Sequence, residues 1–193
     1  MSGRRVLFFG DSFVAGAGDP TGLGWVGRVV AASHAVGVPL TAYPLGVRGQ
    51  SSVQVAARWR AEAQPRLDRT CDCRAVFSLG TNDDAQAIAP EHSVHILEST
   101  LDEAAALDLG TFVVGPPPVG DARRDDRLAA LSTAFADVAA GRGVPFVSVI
   151  EALRAAQPWT REVAAGDGAH PGAGGYEELA RLVLGAGFVG WLR

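Results

Sequence analysis

The sequence predicts an α/β protein: a three-layer α/β/α sandwich around a flavodoxin-like, five-stranded parallel sheet of order 2-1-3-4-5. Three observations predict it. Short apolar runs alternate with longer amphipathic stretches along the whole chain. The runs are rich in Val, Phe and Leu and are bounded by Gly, Pro or Asp, as buried strands are. The spacers between them have helix length, so successive strands run parallel and right-handed crossovers cover both sheet faces. Of the doubly wound orders this leaves, 2-1-3-4-5 suits a chain of five strands.

Taken in order, Val6–Phe9, Val38–Leu45, Ala75–Leu79, Thr111–Val114 and Val144–Val149 are the expected strands. Helices are expected at Trp25–Ala35, Ser52–Leu67, Pro90–Leu107, Arg123–Arg142 and Ala173–Leu184. In the second of these, Val53, Ala56, Ala57 and the stem of Arg60 form the expected buried face. Gly110 and Gly143 are placed as the residues that end the third and fourth helices. No repeat, low-complexity tract or linker divides the chain, and Gly115-Pro116-Pro117-Pro118 fits a stiff strand-to-helix loop. One domain over residues 1–193 is expected.

Composition excludes several functions. At 193 residues, with 48% hydrophobic and 20% charged residues, the chain is globular in type. A net charge of −4 argues against nucleic acid as a partner. The apolar run Val6–Phe9 is too short for a leader or a membrane-inserting segment, so a cytoplasmic location is expected. Cys71 and Cys73, one residue apart, are expected as free thiols rather than a disulfide framework or metal site. All 17 basic residues are Arg. Without Lys there is no Schiff base, no Ser-Lys dyad and no phosphate-binding P-loop.

In this fold, ligands bind beyond the carboxyl ends of the strands. Gly10-Asp11-Ser12 follows the first strand, and Gly46-Val47-Arg48-Gly49-Gln50-Ser51 the second. Gly80-Thr81-Asn82-Asp83 follows the third, and Asp167-Gly168-Ala169-His170-Pro171 precedes the last helix. A hydroxyl, glycines, an amide and an Asp-His pair therefore converge on one edge. A serine becomes nucleophilic when an imidazole accepts its proton, and a carboxylate on the other ring nitrogen fixes the tautomer. Ser12, His170 and Asp167 are candidates for those roles. The N–H groups of Ser12 and Gly49 and the Asn82 amide are candidate donors to an oxyanion.

With these four blocks in this order, the sequence resembles the SGNH (GDSL) hydrolase superfamily over essentially its whole length. The resemblance implies a flavodoxin-like fold needing no metal or organic cofactor, and cleavage of small acyl esters. It implies Ser12 as nucleophile, His170 as base, Asp167 as its orienter, and Ser12, Gly49 and Asn82 as the oxyanion hole. Thioesterase, lysophospholipase and carbohydrate O-deacetylase activities remain open within it, as does a flavodoxin-like binding module that lacks the chemistry. Two departures stand out: Tyr43-Pro44-Leu45-Gly46 lacks the Asn that relatives often carry before the block glycine, and Gln50 replaces an acidic residue. Gly46 is thus a competing alignment for the block glycine, with Gly49 favoured by its spacing to Ser51-Ser52.

Plainer roles compete at several positions. Ser12 can cap a helix. Asp11 is expected to hold the turn through backbone N–H groups, and Asp83 to support the site from behind. His92 and His95 lack a third ligand at metal spacing and read as solvated helix residues. His34 suits a helix C-terminus. Trp25, Trp59, Trp159 and Trp191 read as packing residues, with Trp159 also a candidate wall of an acyl pocket. Gly22-Leu23-Gly24-Trp25-Val26-Gly27 has dinucleotide-binding spacing, but it starts a dozen residues beyond the first strand, with no acidic residue placed to hold a ribose.

Overall fold

The computed structural model describes residues 3–193. Five parallel strands, β1 (Arg4–Gly10), β2 (Thr41–Gly46), β3 (Asp72–Ser78), β4 (Gly110–Val114) and β5 (Phe146–Val147), form one sheet in the order β2-β1-β3-β4-β5. The expected order is the observed one. Along β1 the side chains alternate: Val6 and Phe8 enter one apolar cluster, and Leu7 and Phe9 enter another on the opposite face. Each cluster is closed by helices. α1 (Gly24–Ala35), α7 (Ala173–Gly185) and α8 (Phe188–Trp191) lie on the Phe8 side, and α2 (Ser52–Ala63) and α3 (Pro90–Ala106) on the Phe9 side. α4 (Ala122–Gly141) sends Leu128 into the first cluster and Leu131, Phe135 and Val138 into the second. Aromatic edges knit both layers: Phe8 meets Trp25 at 5.7 Å, and Phe9 stacks on Phe77 at 5.6 Å and meets the edge of Trp59.

Several boundaries differ from expectation. β2 begins three residues later and includes Pro44, paired with Phe8. A residue without N–H is tolerated there because β2 is an edge strand. β5 shrinks to two residues on the other edge. α2 stops at Ala63 and passes into a 3₁₀ turn, Gln64–Arg66, built around Pro65. Its buried face is Ser52, Val55, Trp59 and Ala63, not Val53, Ala56, Ala57 and Arg60. Gly143, at φ 65°, does follow α4, but Gly110 opens β4 and it is Asp108, at φ 57°, that turns the chain after α3.

Three helices were not expected: α5 (Ile150–Ala155), α6 (Gln157–Ala165) and α8. All are short; α6 carries Pro158 in its first turn and α5 carries Glu151 there, and these are weak local start signals. Trp25, Trp59 and Trp159 are fully buried, and Trp191 packs half-buried on Phe112 and Phe188. Cys71 and Cys73 are free. No helix among the described residues is long and apolar enough to cross a membrane.

Candidate active site

β1 delivers Ser12 to the carboxyl edge through a turn that Gly10 makes possible. A Cβ at Gly10 would stand 2.5 Å from the Ser78 carbonyl and from Val14 Cγ2. Past it, Asp11 Oδ1 accepts the Phe13 N–H at 2.9 Å, and the Ala17 N–H donates to the Ser12 carbonyl at 2.9 Å. Asp11 is thus bonded to the backbone of the turn. Ser12 lies inside this turn rather than at the start of α1, which removes the helix-capping role.

The last loop meets Ser12 from the other side. Asp167 Oδ1 accepts the N–H groups of Ala169 (3.0 Å) and His170 (2.8 Å), folding the loop back on itself. Its Oδ2 is left 2.7 Å from His170 Nδ1, and His170 Nε2 lies 2.7 Å from Ser12 Oγ. The backbone and ring N–H groups of His170, with that of Ala169, hold the Asp167 carboxyl well below the usual carboxylate range. An ionised carboxylate only accepts, so Nδ1 carries a proton, and in the neutral ring Nε2 is left to accept from the Ser12 hydroxyl. The imidazole is fixed in place by packing. Its ring lies 5.1 Å from Phe13, which stacks on Trp159 at 5.9 Å. Gly18, at φ 89°, passes so close that a Cβ would be 2.9 Å from His170 Cβ. Trp159 thus supports the wall of the site from behind.

The second and third blocks close around Ser12. Gly49, at φ 75°, Asn82 and Ser12 line one cavity of about 290 Å³ with Phe13, Arg48, Val119, Arg124, Ala169 and His170. Gly46 is not in its lining: it ends β2, where a Cβ would collide with the backbone of Asp11 and Ala15. Asn82 Nδ2 donates to Asp11 Oδ2 (3.2 Å) and to the Gln50 carbonyl (3.0 Å), so its amide is aimed at the floor of the cavity. Asp83 Oδ1 accepts the Ser52 N–H at 2.7 Å, tying the third loop to the start of α2. Burial, and then Asp83's charge, push the Asp11 carboxyl up to about 7 against the opposing bonds from Phe13 and Thr81. Burial likewise raises the Tyr176 hydroxyl, which donates to the Ala17 carbonyl at 2.7 Å beneath the Ser12 loop.

Four anchoring residues were not expected. Arg58 donates to the carbonyls of Gly10 (3.0 Å) and Leu45 (2.9 Å) and to Gln50 Oε1 (2.6 Å), pinning the ends of β1 and β2 to the second loop. Gln50, the departure noted in the second block, is thus held by an arginine. Gln86 donates to the Gly49 carbonyl at 2.7 Å. Glu162 accepts the N–H groups of Gly174 (3.2 Å) and Gly175 (2.7 Å), fixing the exit of the Asp167–His170 loop. Phe13 is the fourth, through its ring contacts. None of these partners is near in sequence, so no local pattern announces them. His92 and His95 are exposed, and no group of three His, Cys, Asp or Glu among the described residues could hold a metal ion.

Residues 8–178 match a family model, that of the GDSL-like lipase/acylhydrolases. The chain belongs to that family. This acylhydrolase, an ester hydrolase by family, also shares its fold with solved structures. An acetylxylan esterase from Geobacillus stearothermophilus superposes with a TM-score of 0.79 at 22% identity, covering 100% of this chain and 97% of its own. Structures of that esterase include catalytic mutants in which a serine, an aspartate or a histidine is replaced by alanine. A lipase/acylhydrolase from Enterococcus faecalis superposes with a TM-score of 0.78 at 24% identity, covering 94% of this chain and 93% of its own. No curated protein matches the sequence.

Proposed function

We propose that this acylhydrolase is a serine esterase that cleaves small carboxylic esters through an acyl-Ser12 intermediate. The observation that carries the reading is the unbroken hydrogen-bonded chain Asp167–His170–Ser12, with 2.7 Å at each junction with the imidazole, opening on a cavity. His170 Nε2 takes the Ser12 proton as Oγ attacks the ester carbonyl, and Asp167 stabilises the imidazolium. The carbonyl electron pair moves onto oxygen, where the N–H groups of Ser12 and Gly49 and the Asn82 amide receive it. As the pair returns, the bond to the alcohol breaks and His170 gives that alcohol its proton. Water, deprotonated by His170, then releases the acid and restores Ser12. The oxyanion competes with Asp11 and the Gln50 carbonyl for the Asn82 hydrogens. A cavity of about 290 Å³ suits a short acyl group and a small alcohol.

A fluorophosphonate probe tests the nucleophile. The folded protein at neutral pH is expected to gain one covalent adduct, mapped to Ser12 by peptide mass. Ser12→Ala is expected to lower turnover of para-nitrophenyl acetate by about 10⁴- to 10⁶-fold with its melting temperature retained. No adduct together with no turnover by the wild type defeats the reading in favour of a binding module, and undiminished turnover by Ser12→Ala defeats it by placing the nucleophile elsewhere.

A further inference from the structure

Ester cleavage by Ser12 and His170 needs no arginine, yet two line the cavity that holds them. Arg48, in the loop after β2, is exposed and has no hydrogen bond or ion pair among the described residues. Arg124, in the first turn of α4, is half-buried. Its Nη2 reaches the Thr81 carbonyl at 3.4 Å, while its buried Nε has no hydrogen-bond partner and lies 3.6 Å from Asp84. Asp84 is already gripped by Arg127 at 2.6 and 2.8 Å. Asp84 thus serves two guanidinium groups, and the charges of Asp121 and Asp126 also act on Arg127, so Arg124 has no carboxylate to itself. Asp167 at the rim is engaged by His170, and Asp11 and Asp83 lie buried beneath the floor, the Asp11 carboxyl raised to about 7. The residues that line the cavity thus include two arginines and no carboxylate, on a chain whose net charge is −4.

We propose that Arg48 and Arg124 make this enzyme selective for esters that carry a carboxylate close to the ester being cleaved. The inference rests on the serine-esterase reading and deepens it. A guanidinium is weakly hydrated and presents a planar fork of donors that matches a carboxylate. Arg48 brings that fork free, and Arg124, with its Nε unpartnered, adds a second cation on the same lining. The carboxylate can belong to the acyl group or to the alcohol, and paired substrates separate the two. Mono-para-nitrophenyl glutarate against para-nitrophenyl butyrate tests the acyl side. Para-acetoxybenzoate against para-acetoxybenzamide tests the alcohol side. Each kcat/KM is divided by that ester's own hydroxide-catalysed rate constant.

At low ionic strength the anionic member of at least one pair is expected to be favoured by about 10-fold or more. Arg48→Gln is expected to reduce that ratio by about 3- to 10-fold, and Arg48→Gln with Arg124→Gln to reduce it further. Salt at about 0.5 M is expected to compress it in the wild type and hardly at all in the double variant. Arg48 supports no other side chain, so its replacement leaves folding intact and the ratio interpretable. Preference for the neutral member of both pairs, or ratios unmoved by the substitutions, overturns the proposal. Absence of both turnover and fluorophosphonate adduct is a different result: it removes the serine-esterase reading itself.

Discussion

Burial beneath Ser12 pushes the Asp11 carboxyl up to about 7 from an ordinary value of 3.8, although its oxygens still bind Phe13 and Asn82. Folding therefore takes up a proton between roughly pH 4 and 7. A raised acid is most stabilising when protonated, so this contribution is complete below the unfolded value and is lost as pH rises through about 7. The melting temperature is expected to fall between pH 5 and 8, and Asp11→Asn to flatten that slope; equal slopes in both proteins rule the linkage out. At the same scale, Asn82→Ala is expected to lower kcat by about 10²- to 10³-fold with the fold retained, because the proposed oxyanion donor is removed. Ser12, Asn82, Asp167 and His170 were legible because each lies beside a strand end or in a short motif whose spacing is local. Arg58 and Glu162 were not, because an arginine meeting Gly10 from 48 positions away leaves no mark on its neighbours.

Among the elements, β2 does more than close an edge. Its last residue, Gly46, packs against the backbone of the Ser12 turn, so strand and turn share one surface with no room for a side chain. Gly46→Ala is expected to cost about 2–3 kcal/mol. That lowers the melting temperature by about 5–10 °C in a protein of this size, measured by thermal unfolding. It is also expected to slow fluorophosphonate labelling of Ser12; labelling at the wild-type rate would show that the turn adapts. The strands that carry the blocks were legible because buried parallel strands are compact apolar runs. The helices α5, α6 and α8 were not, because each spans nine residues or fewer and is set by packing. Trp159 and Val163, one turn apart on α6, face the same cluster as Phe13, a contact only the assembled sheet creates. The face of α2 failed for a related reason: Trp59 outweighs the alanines in choosing which side is buried.

For the molecule as a whole, the doubly wound sheet was predictable from alternation alone, and it places all four blocks on one edge. Its cavity sets a scale for substrates. Para-nitrophenyl acetate or butyrate is expected to exceed the decanoate in kcat/KM, and a maximum at the decanoate would show that the cleft extends beyond the lining described. The junction of Ser12 with His170 spans 158 positions of sequence, from the first strand to the threshold of α7. On the serine-esterase proposal, Ser12 has no base until nearly the whole chain has come together. On the same proposal, a polypeptide emerging during synthesis is chemically silent toward esters until residue 170 has docked. In refolding, hydrolytic activity should return as the final event, after the tryptophans have been buried, and it serves as a built-in clock for completion of the fold.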